Sequence, residues 1–323
     1  DDDNNGISGL EKSYDHELKK IKKPLELTVD TNIQFLIREE LIKFQPIFKN
    51  KGSAAILMNV NNGNIISLVS LPDFDLNERK QITDSNFINR VTKGVYELGS
   101  VFKTFTIASG LNEGLIEPNT QFENLPKRLE CANRPIREYD DKMPSDLTAE
   151  QILIRSGNIG SVRIAQAVGL EKFPSFLETL GVLNKIEFDI EEVGQPIPFR
   201  WGKCKLATAA FGHGITTTPL QLAKGYAIVS NGGYNITPTL IKKDNTDKKE
   251  RLLKKGVSEK INIILRKIVS SKEGTANFAN IDGYEIGGKT GTAEKSVDGV
   301  YSKNKVNTFA AIFPTSKPKF VLI

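Results

Sequence analysis

A serine three residues before a lysine can form an activated nucleophile when both lie on one turn of a helix. Ser100 and Lys103 have that spacing, in the run Gly99-Ser100-Val101-Phe102-Lys103-Thr104-Phe105-Thr106-Ile107-Ala108. Residues i and i+3 share a helix face, so the amine stands one turn above the hydroxyl. Unpaired N–H groups and the dipole at the helix start favour negative charge developing on Ser100. Apolar residues lie on most sides of this helix, which predicts that it is buried. Burial lowers a lysine pKa unless a partner charge offsets it, and a lysine so tuned can take the serine proton. The plain alternative is a helix cap beside a snorkelling lysine. Two further tetrads, Ser302/Lys305 and Ser316/Lys319, lie in polar or Pro-containing stretches and read as chance.

Two other short motifs could serve such a nucleophile. Ser156-Gly157-Asn158 sits between two helical patterns, where a hydroxyl and an amide can point into a cleft or simply cap a helix. Lys289-Thr290-Gly291-Thr292 follows Gly287 and Gly288. Glycines in a strand let another backbone approach, so this edge could pair with an extended peptide while Lys289 and the hydroxyls meet a carboxylate. The same region, Gly283 to Thr290, also fits a phosphate-binding loop. That loop needs an apolar strand before it and a helix after it. Gly291 and Asp298-Gly299 oppose the helix, and only 33 residues follow Thr290. His213, within Gly212-His213-Gly214, would need an acidic partner to act as a base, and none is nearby in sequence.

The elements that must position these groups can be read from the pattern. Leu25 to Val29 predicts a short strand, and Asp30 or Thr31 caps a helix with Ile33, Leu36, Ile37, Leu41 and Phe44 on one face. Ala54–Val60 and Ile65–Leu71 predict a hairpin around Asn61-Asn62-Gly63-Asn64. Leu147 to Val168 predicts two helices broken at Ser156-Gly157-Asn158, and Gln221–Val229 another. Val306–Phe313 and Lys319–Ile323 predict late strands. Early strands, a helical middle and late strands imply an α+β fold whose sheet is completed by distant segments.

Composition narrows the chemistry. The chain has 323 residues, 39% hydrophobic and 26% charged, which suffices for a sizeable core. Two histidines leave little for a zinc site or a Ser-His-Asp hydrolase. Cys131 and Cys204 can pair in an oxidising compartment or stand as isolated thiols. The net charge of +5 is concentrated at Lys242–Lys255, seven basic and three acidic residues without interleaved aromatics. It reads as a solvated face and not as a nucleic-acid groove. No apolar run reaches the ~18 residues of a membrane span. The start at Asp1 and the stop within Phe320-Val321-Leu322-Ile323 read as a piece cut at both ends.

Ser-x-x-Lys, Ser-x-Asn and Lys-Thr-Gly in that order form the signature shared by serine β-lactamases and penicillin-binding proteins. Tyr96-Glu97-Leu98-Gly99-Ser100-Val101-Phe102-Lys103, Ser156-Gly157-Asn158-Ile159-Gly160, Phe211-Gly212-His213-Gly214 with Thr218-Pro219-Leu220-Gln221, and Lys289 to Lys295 resemble class B penicillin-binding proteins, in the septal branch. Leu98 stands where that family usually has proline. The resemblance implies a penicillin-binding transpeptidase fold, with an antiparallel sheet flanked by helices on both faces and no final C-terminal helix. It divides the chain into the tail of an N-terminal pedestal (1–24) and a transpeptidase domain (25–323). It implies Ser100, Lys103 and Ser156 as catalytic residues, and Asn158, Lys289, Thr290, Gly291 and Thr292 as substrate-binding residues. Implied ligands are peptidoglycan stem peptides and β-lactams, with no metal or cofactor and no nucleic acid. Implied surroundings are a single-pass inner-membrane anchor, a periplasmic domain, a polytopic glycosyltransferase and division proteins. A serine β-lactamase and a non-catalytic scaffold are the alternatives.

Overall fold

The computed structural model describes residues 3–20, 23–75, 87–131, 135–243, 249–297 and 300–323, with main chain alone at 296, 297, 300 and 301. In chain order the elements are α1 (Gly9–Ser13), α2 (Asp15–Lys20), α3 (Thr31–Phe48), β1 (Ser53–Asn59), β2 (Ile65–Leu71), a 3-10 turn (Gly99–Phe102) and α4 (Lys103–Glu113). Four two-residue strands follow, β3 (Gln121–Phe122), β4 (Arg128–Leu129), β5 (Ile136–Arg137) and β6 (Leu147–Thr148). Then come α5 (Ala149–Ile154), α6 (Asn158–Val168), α7 (Lys172–Thr179), α8 (Lys203–Ala209), α9 (Pro219–Ser230) and α10 (Val257–Ser270). The chain closes with β7 (Gly287–Val297), β8 (Val300–Phe313) and β9 (Phe320–Leu322).

The expected union of distant strands is present. β1 and β2 pair as a hairpin, β7 and β8 as another, and β9 joins them into one antiparallel sheet in the order β2-β1-β9-β8-β7. β2 is an edge, and Gln34 of α3 covers it. Its Oε1 accepts from Leu68 N–H at 2.8 Å and its amide donates to the Leu68 carbonyl at 3.1 Å. That satisfies main-chain groups a neighbouring strand would otherwise take. α9 packs on β1, β8 and β9, and α10 on β7.

α4 is the centre of the core, with every residue from Lys103 to Leu111 buried. Phe102, Phe105 and Tyr226 of α9 meet edge to face, with centroids 5.5 and 5.3 Å apart. The Tyr226 hydroxyl donates to the Val101 carbonyl at 2.8 Å and shares a 2.8 Å bond with Thr104. A buried phenol needs such partners, and here one of them lies inside the turn that carries Ser100. α9 itself starts with a reciprocal capping box, Thr218 with Gln221, and Pro219 in the first turn.

Several expectations change. Leu25–Val29 forms no strand: a single bridge joins Leu27 to Ile241, and Thr28 N–H reaches the Leu240 carbonyl. Asp30 caps α3 as expected, accepting from Asn32 and Ile33 N–H. Yet the apolar stripe of α3 is not buried, with Leu36 62% and Phe44 41% exposed. Just beyond the basic run lies α10, a helix to which the pattern reading assigns no element. Val257, Ile261, Ile264, Leu265 and Ile268 recur at helical spacing and are all buried in α10. Of the basic run, residues 244–248 lie outside the described residues. Its flanks are paired, Lys242 with Glu26 at 2.9 Å and Arg251 over the Tyr234 ring at 4.3 Å. Cys131 and Cys204 form a disulfide, which ties the chain just before β5 to α8. α1 and α2 dock through polar contacts, such as Gly9 N–H to Glu192 and Tyr14 hydroxyl to Asp189. Among the described residues, no helix is long and apolar enough to cross a membrane.

Candidate active site

Two glycines let the nucleophile turn meet the sheet. Gly99 has φ +65°, and a Cβ there would lie 2.4 Å from the Thr292 carbonyl oxygen. A Cβ on Gly291 would lie 2.3 Å from the Leu98 carbonyl oxygen. Real side chains cannot approach so closely, so glycine at both places allows β7 and the Ser100 turn to touch main chain to main chain. Ser100 is half-buried at this seam. β7 is an edge of the sheet, and Gly288 to Glu294 pair with β8 on its other side.

Ser156 links the helices to the sheet. It lies between α5 and α6 with φ +61°, in the left-handed region that a non-glycine residue rarely adopts. This conformation follows the end of α5, where Gly157 N–H returns to the Ile152 carbonyl at 2.8 Å. Lys103 Nζ donates to the Ser156 carbonyl at 2.5 Å and to its Oγ at 3.1 Å. Lys289 Nζ donates to the same Oγ at 3.0 Å and to the Thr290 carbonyl at 2.9 Å. The Ser156 hydroxyl therefore receives an amine on each lone pair, which leaves its own proton free to be given away.

Both lysines are nearly inaccessible, Lys103 at 1% and Lys289 at 0%. Burial brings the Lys103 pKa down from 10.5 to about 7, partly opposed by the charge of Glu138. Lys289 is pushed well below its usual range by burial and then by the nearby Lys103. Desolvation favours a neutral amine, the form that can accept a proton. The i, i+3 expectation placed Lys103 above Ser100. Among the described residues, however, no hydrogen bond joins their side chains, and Lys103 turns to Ser156. Catalytic contacts are often looser before substrate arrives.

The remaining expected residues surround this centre. Asn158 is half-buried at the start of α6, and its amide donates to the Arg137 carbonyl at 2.8 Å. Thr290 donates to Thr275 at 3.1 Å, and the exposed Thr292 donates to Asn307 at 3.1 Å. All three motifs thus converge, with Gly291 at the seam. The segment after Gly287 is a strand and not a helix, so the phosphate-loop alternative fails.

Residues outside the motifs also contribute. Glu138, just after β5, accepts from Asn158 N–H at 2.6 Å and Ile159 N–H at 2.8 Å. No local spacing in the sequence marks it. His213 does have an acidic partner, because Glu97 Oε2 lies 3.6 Å from its Nδ1 and accepts from Gly214 N–H at 2.8 Å. The fold supplies this partner from the segment just before Ser100.

Comparison with known proteins agrees with the geometry. Residues 53–323 match the penicillin binding protein transpeptidase domain. A probable peptidoglycan D,D-transpeptidase FtsI of Caulobacter vibrioides is 31% identical, over 97% of this chain and 55% of that protein. A probable peptidoglycan D,D-transpeptidase PenA of Neisseria flavescens is 30% identical, over 92% of this chain and 74% of that protein. The chain thus spans little more than half of the Caulobacter relative. The apo transpeptidase domain of penicillin-binding protein 3 from Burkholderia pseudomallei superposes with TM-score 0.82 at 26% identity, covering 92% of this chain and 86% of that one. The matched span holds Ser100, Lys103, Ser156 and Lys289 together, so the chain belongs to the penicillin-binding protein transpeptidase domain family.

Proposed function

We propose that the protein is a peptidoglycan D,D-transpeptidase that works through an acyl-enzyme on Ser100, in septal wall synthesis. The observation that carries this reading is the Ser156 hydroxyl held between two buried lysines beside the Ser100 turn. Ser100 Oγ attacks the carbonyl carbon between the two D-alanines of a stem peptide, and neutral Lys103 takes its proton. Backbone N–H groups of Ser100 and Thr292 hold the oxyanion, the kind of electrostatic support that supplies several kcal/mol in acyl transfer. The C–N bond breaks, and Ser156 gives its proton to the leaving D-alanine amine. Ser156 regains a proton from the lysine pair. Lys289, Thr290 and Thr292 receive the terminal carboxylate, the strand edge at Gly291 offers its main chain to the peptide, and Asn158 meets the donor's amide. An amine from a second stem then attacks the ester carbon, forming the cross-link and releasing Ser100.

The organisation expected from the sequence extends this proposal. Residues 1–24 are the tail of a pedestal, and 25–323 are the catalytic domain. The intact protein is held by a single inner-membrane anchor with this domain in the periplasm, beside a polytopic glycosyltransferase and division proteins. The Cys131–Cys204 disulfide is consistent with an oxidising compartment. A β-lactamase reading needs a carboxylate placed to activate water on the ester, and none of the three motifs supplies one. The test is labelling with a fluorescent penicillin. The wild-type intact protein should form a long-lived adduct that Ser100→Ala lacks. Rapid turnover of nitrocefin, or no adduct on a folded wild type, would sink the proposal.

A further inference from the structure

Glu138 belongs to none of the three motifs, yet it touches the second, whose Ser156 in turn holds Lys103 of the first. It follows β5, and its two carboxylate oxygens separately accept Asn158 N–H at 2.6 Å and Ile159 N–H at 2.8 Å. These are the first two N–H groups of α6, which have no partner within the helix. Neither Gly157 nor another local side chain caps this helix. The neighbouring Arg137 carbonyl takes the Asn158 amide at 2.8 Å, so two consecutive residues grip Asn158 from main chain and side chain. Ser156 sits two residues before, in its left-handed conformation.

We infer that Glu138 is a positioning residue of the reaction, which clamps the Ser156-Gly157-Asn158 turn to β5 and so holds a carboxylate on the turn whose Ser156 receives the Lys103 amine. The inference rests on the acyl-enzyme reading above. Among the described residues, the groups named beside the Lys103 site come from different elements. Lys289 approaches from β7, the positive end of α6 lies beside Ser156, and Glu138 stands after β5. Burial disfavours a charged Lys103, whereas the charge of Glu138 favours it. Without Glu138, burial would act unopposed. Glu138 therefore sets how much of Lys103 is neutral near pH 7, and hence how fast Ser100 can lose its proton.

A residue that merely capped α6 would change the acylation rate equally at every pH. A residue that also tunes Lys103 must move the acid limb of the profile. The sign follows from the direction of the charge effect. Glu138→Gln keeps one oxygen for a main-chain N–H but removes the charge, so Lys103 loses its proton more readily and the acid limb moves to lower pH. Glu138→Asp keeps the charge and withdraws it by one methylene, so its limb falls between the two.

The experiment measures the second-order rate of acylation by a fluorescent penicillin from pH 5 to 9. It uses the intact wild-type protein, Glu138→Gln and Glu138→Asp, each checked by thermal melting. The expected result is a midpoint lowered by about one pH unit in the glutamine variant and by less in the aspartate variant. Should the glutamine variant fail to melt cooperatively, the aspartate variant alone decides. Coincident midpoints alongside a normal wild-type adduct would overturn this inference and leave the acyl-enzyme reading standing. No adduct on the wild type would remove both.

Discussion

The two ends of helix α4 meet a lysine in opposite settings. At its first residue, Lys103 is buried among Ser156, Lys289 and the charge of Glu138, with no carboxylate in hydrogen-bond contact. At its last, Glu113 meets Lys172 of α7 at 2.7 Å in a lysine side chain 64% exposed. Burial brings Lys103 down to about 7, while the hydrogen bond and charge of Glu113 raise Lys172. The two sites lie about 15 Å apart along one helix. The difference shows that residue type alone does not set how readily a lysine gives up its proton. Water exclusion and the choice of partner do, and α4 can offer both because only its far end reaches solvent.

The widest separation between the two ends comes from Lys103→Met. Loss of a positioned base lowers acylation of Ser100 by about 10²–10⁴-fold. Stability should move the other way. The folded Lys103 titrates near 7 and the unfolded one near 10.5, so between these values the unfolded chain binds more protons. Folding stability therefore rises with pH across that window, and the penalty for burying the ammonium is fullest below it. The methionine variant removes part of that rise. Melting at pH 7 and pH 9.5 measures it, and an unchanged slope would contradict a buried, neutralised lysine.

The disulfide tests how the buried end is held. Cys131 lies shortly before β5, which leads to Glu138, and Cys204 lies in α8. A bridge across 73 residues removes much freedom from the unfolded chain. Replacing both cysteines by serine should cost about 2–4 kcal/mol in chemical denaturation. The same loss should appear on reducing the wild type, and reductant should have no effect on the double variant. An equal stability for all three would mean that packing alone holds β5 in place.

Much of the buried end was legible because its residues announce themselves by type and spacing. Ser100 and Lys103 stand at helical spacing in an apolar run, and Ser156-Gly157-Asn158 breaks a helical pattern. Gly287 to Thr292 reads as strand with room for a neighbour. What escaped depends on pairings between distant segments. Spacing put Lys103 on the face of Ser100, but side-chain direction is set by tertiary contacts, and those take its amine to Ser156. Glu138 and Glu97 are ordinary acidic residues until the fold sets them against the α6 start and His213. Nor does spacing decide whether Cys131 meets Cys204. α10 is the instructive exception, since its apolar period is present in the sequence although the pattern reading assigns no element there.

Gly291→Ala probes the seam between the nucleophile turn and β7. The new Cβ would meet the Leu98 carbonyl at 2.3 Å, and main chain on both sides cannot yield as a flexible side chain would. Overpacking of this kind costs about 1–3 kcal/mol. The larger consequence is geometric, because β7 carries Lys289 and moves with Gly291. Acylation should fall by more than the loss in melting temperature explains. A variant that melts earlier yet acylates at the wild-type rate would show that the seam supports the fold without setting the site.

The smallest effect belongs to the exposed end. Lys172→Ala removes the contact with Glu113 at the far end of α4. A solvated pair gains little, since water already stabilises both charges and holding two long side chains costs entropy. The melting temperature should stay within experimental error of the wild type. Raising salt should weaken whatever remains of the pair in the wild type, because an exposed interaction is screened over about 10 Å at 0.1 M. The acylation profile should keep its midpoint, since Lys103 draws its shift from burial and Glu138 and not from charges a helix length away. If Lys172→Ala did move that midpoint, the two ends of α4 would be electrically coupled. Burial at one end would then no longer be a sufficient account of why Lys103 differs from Lys172.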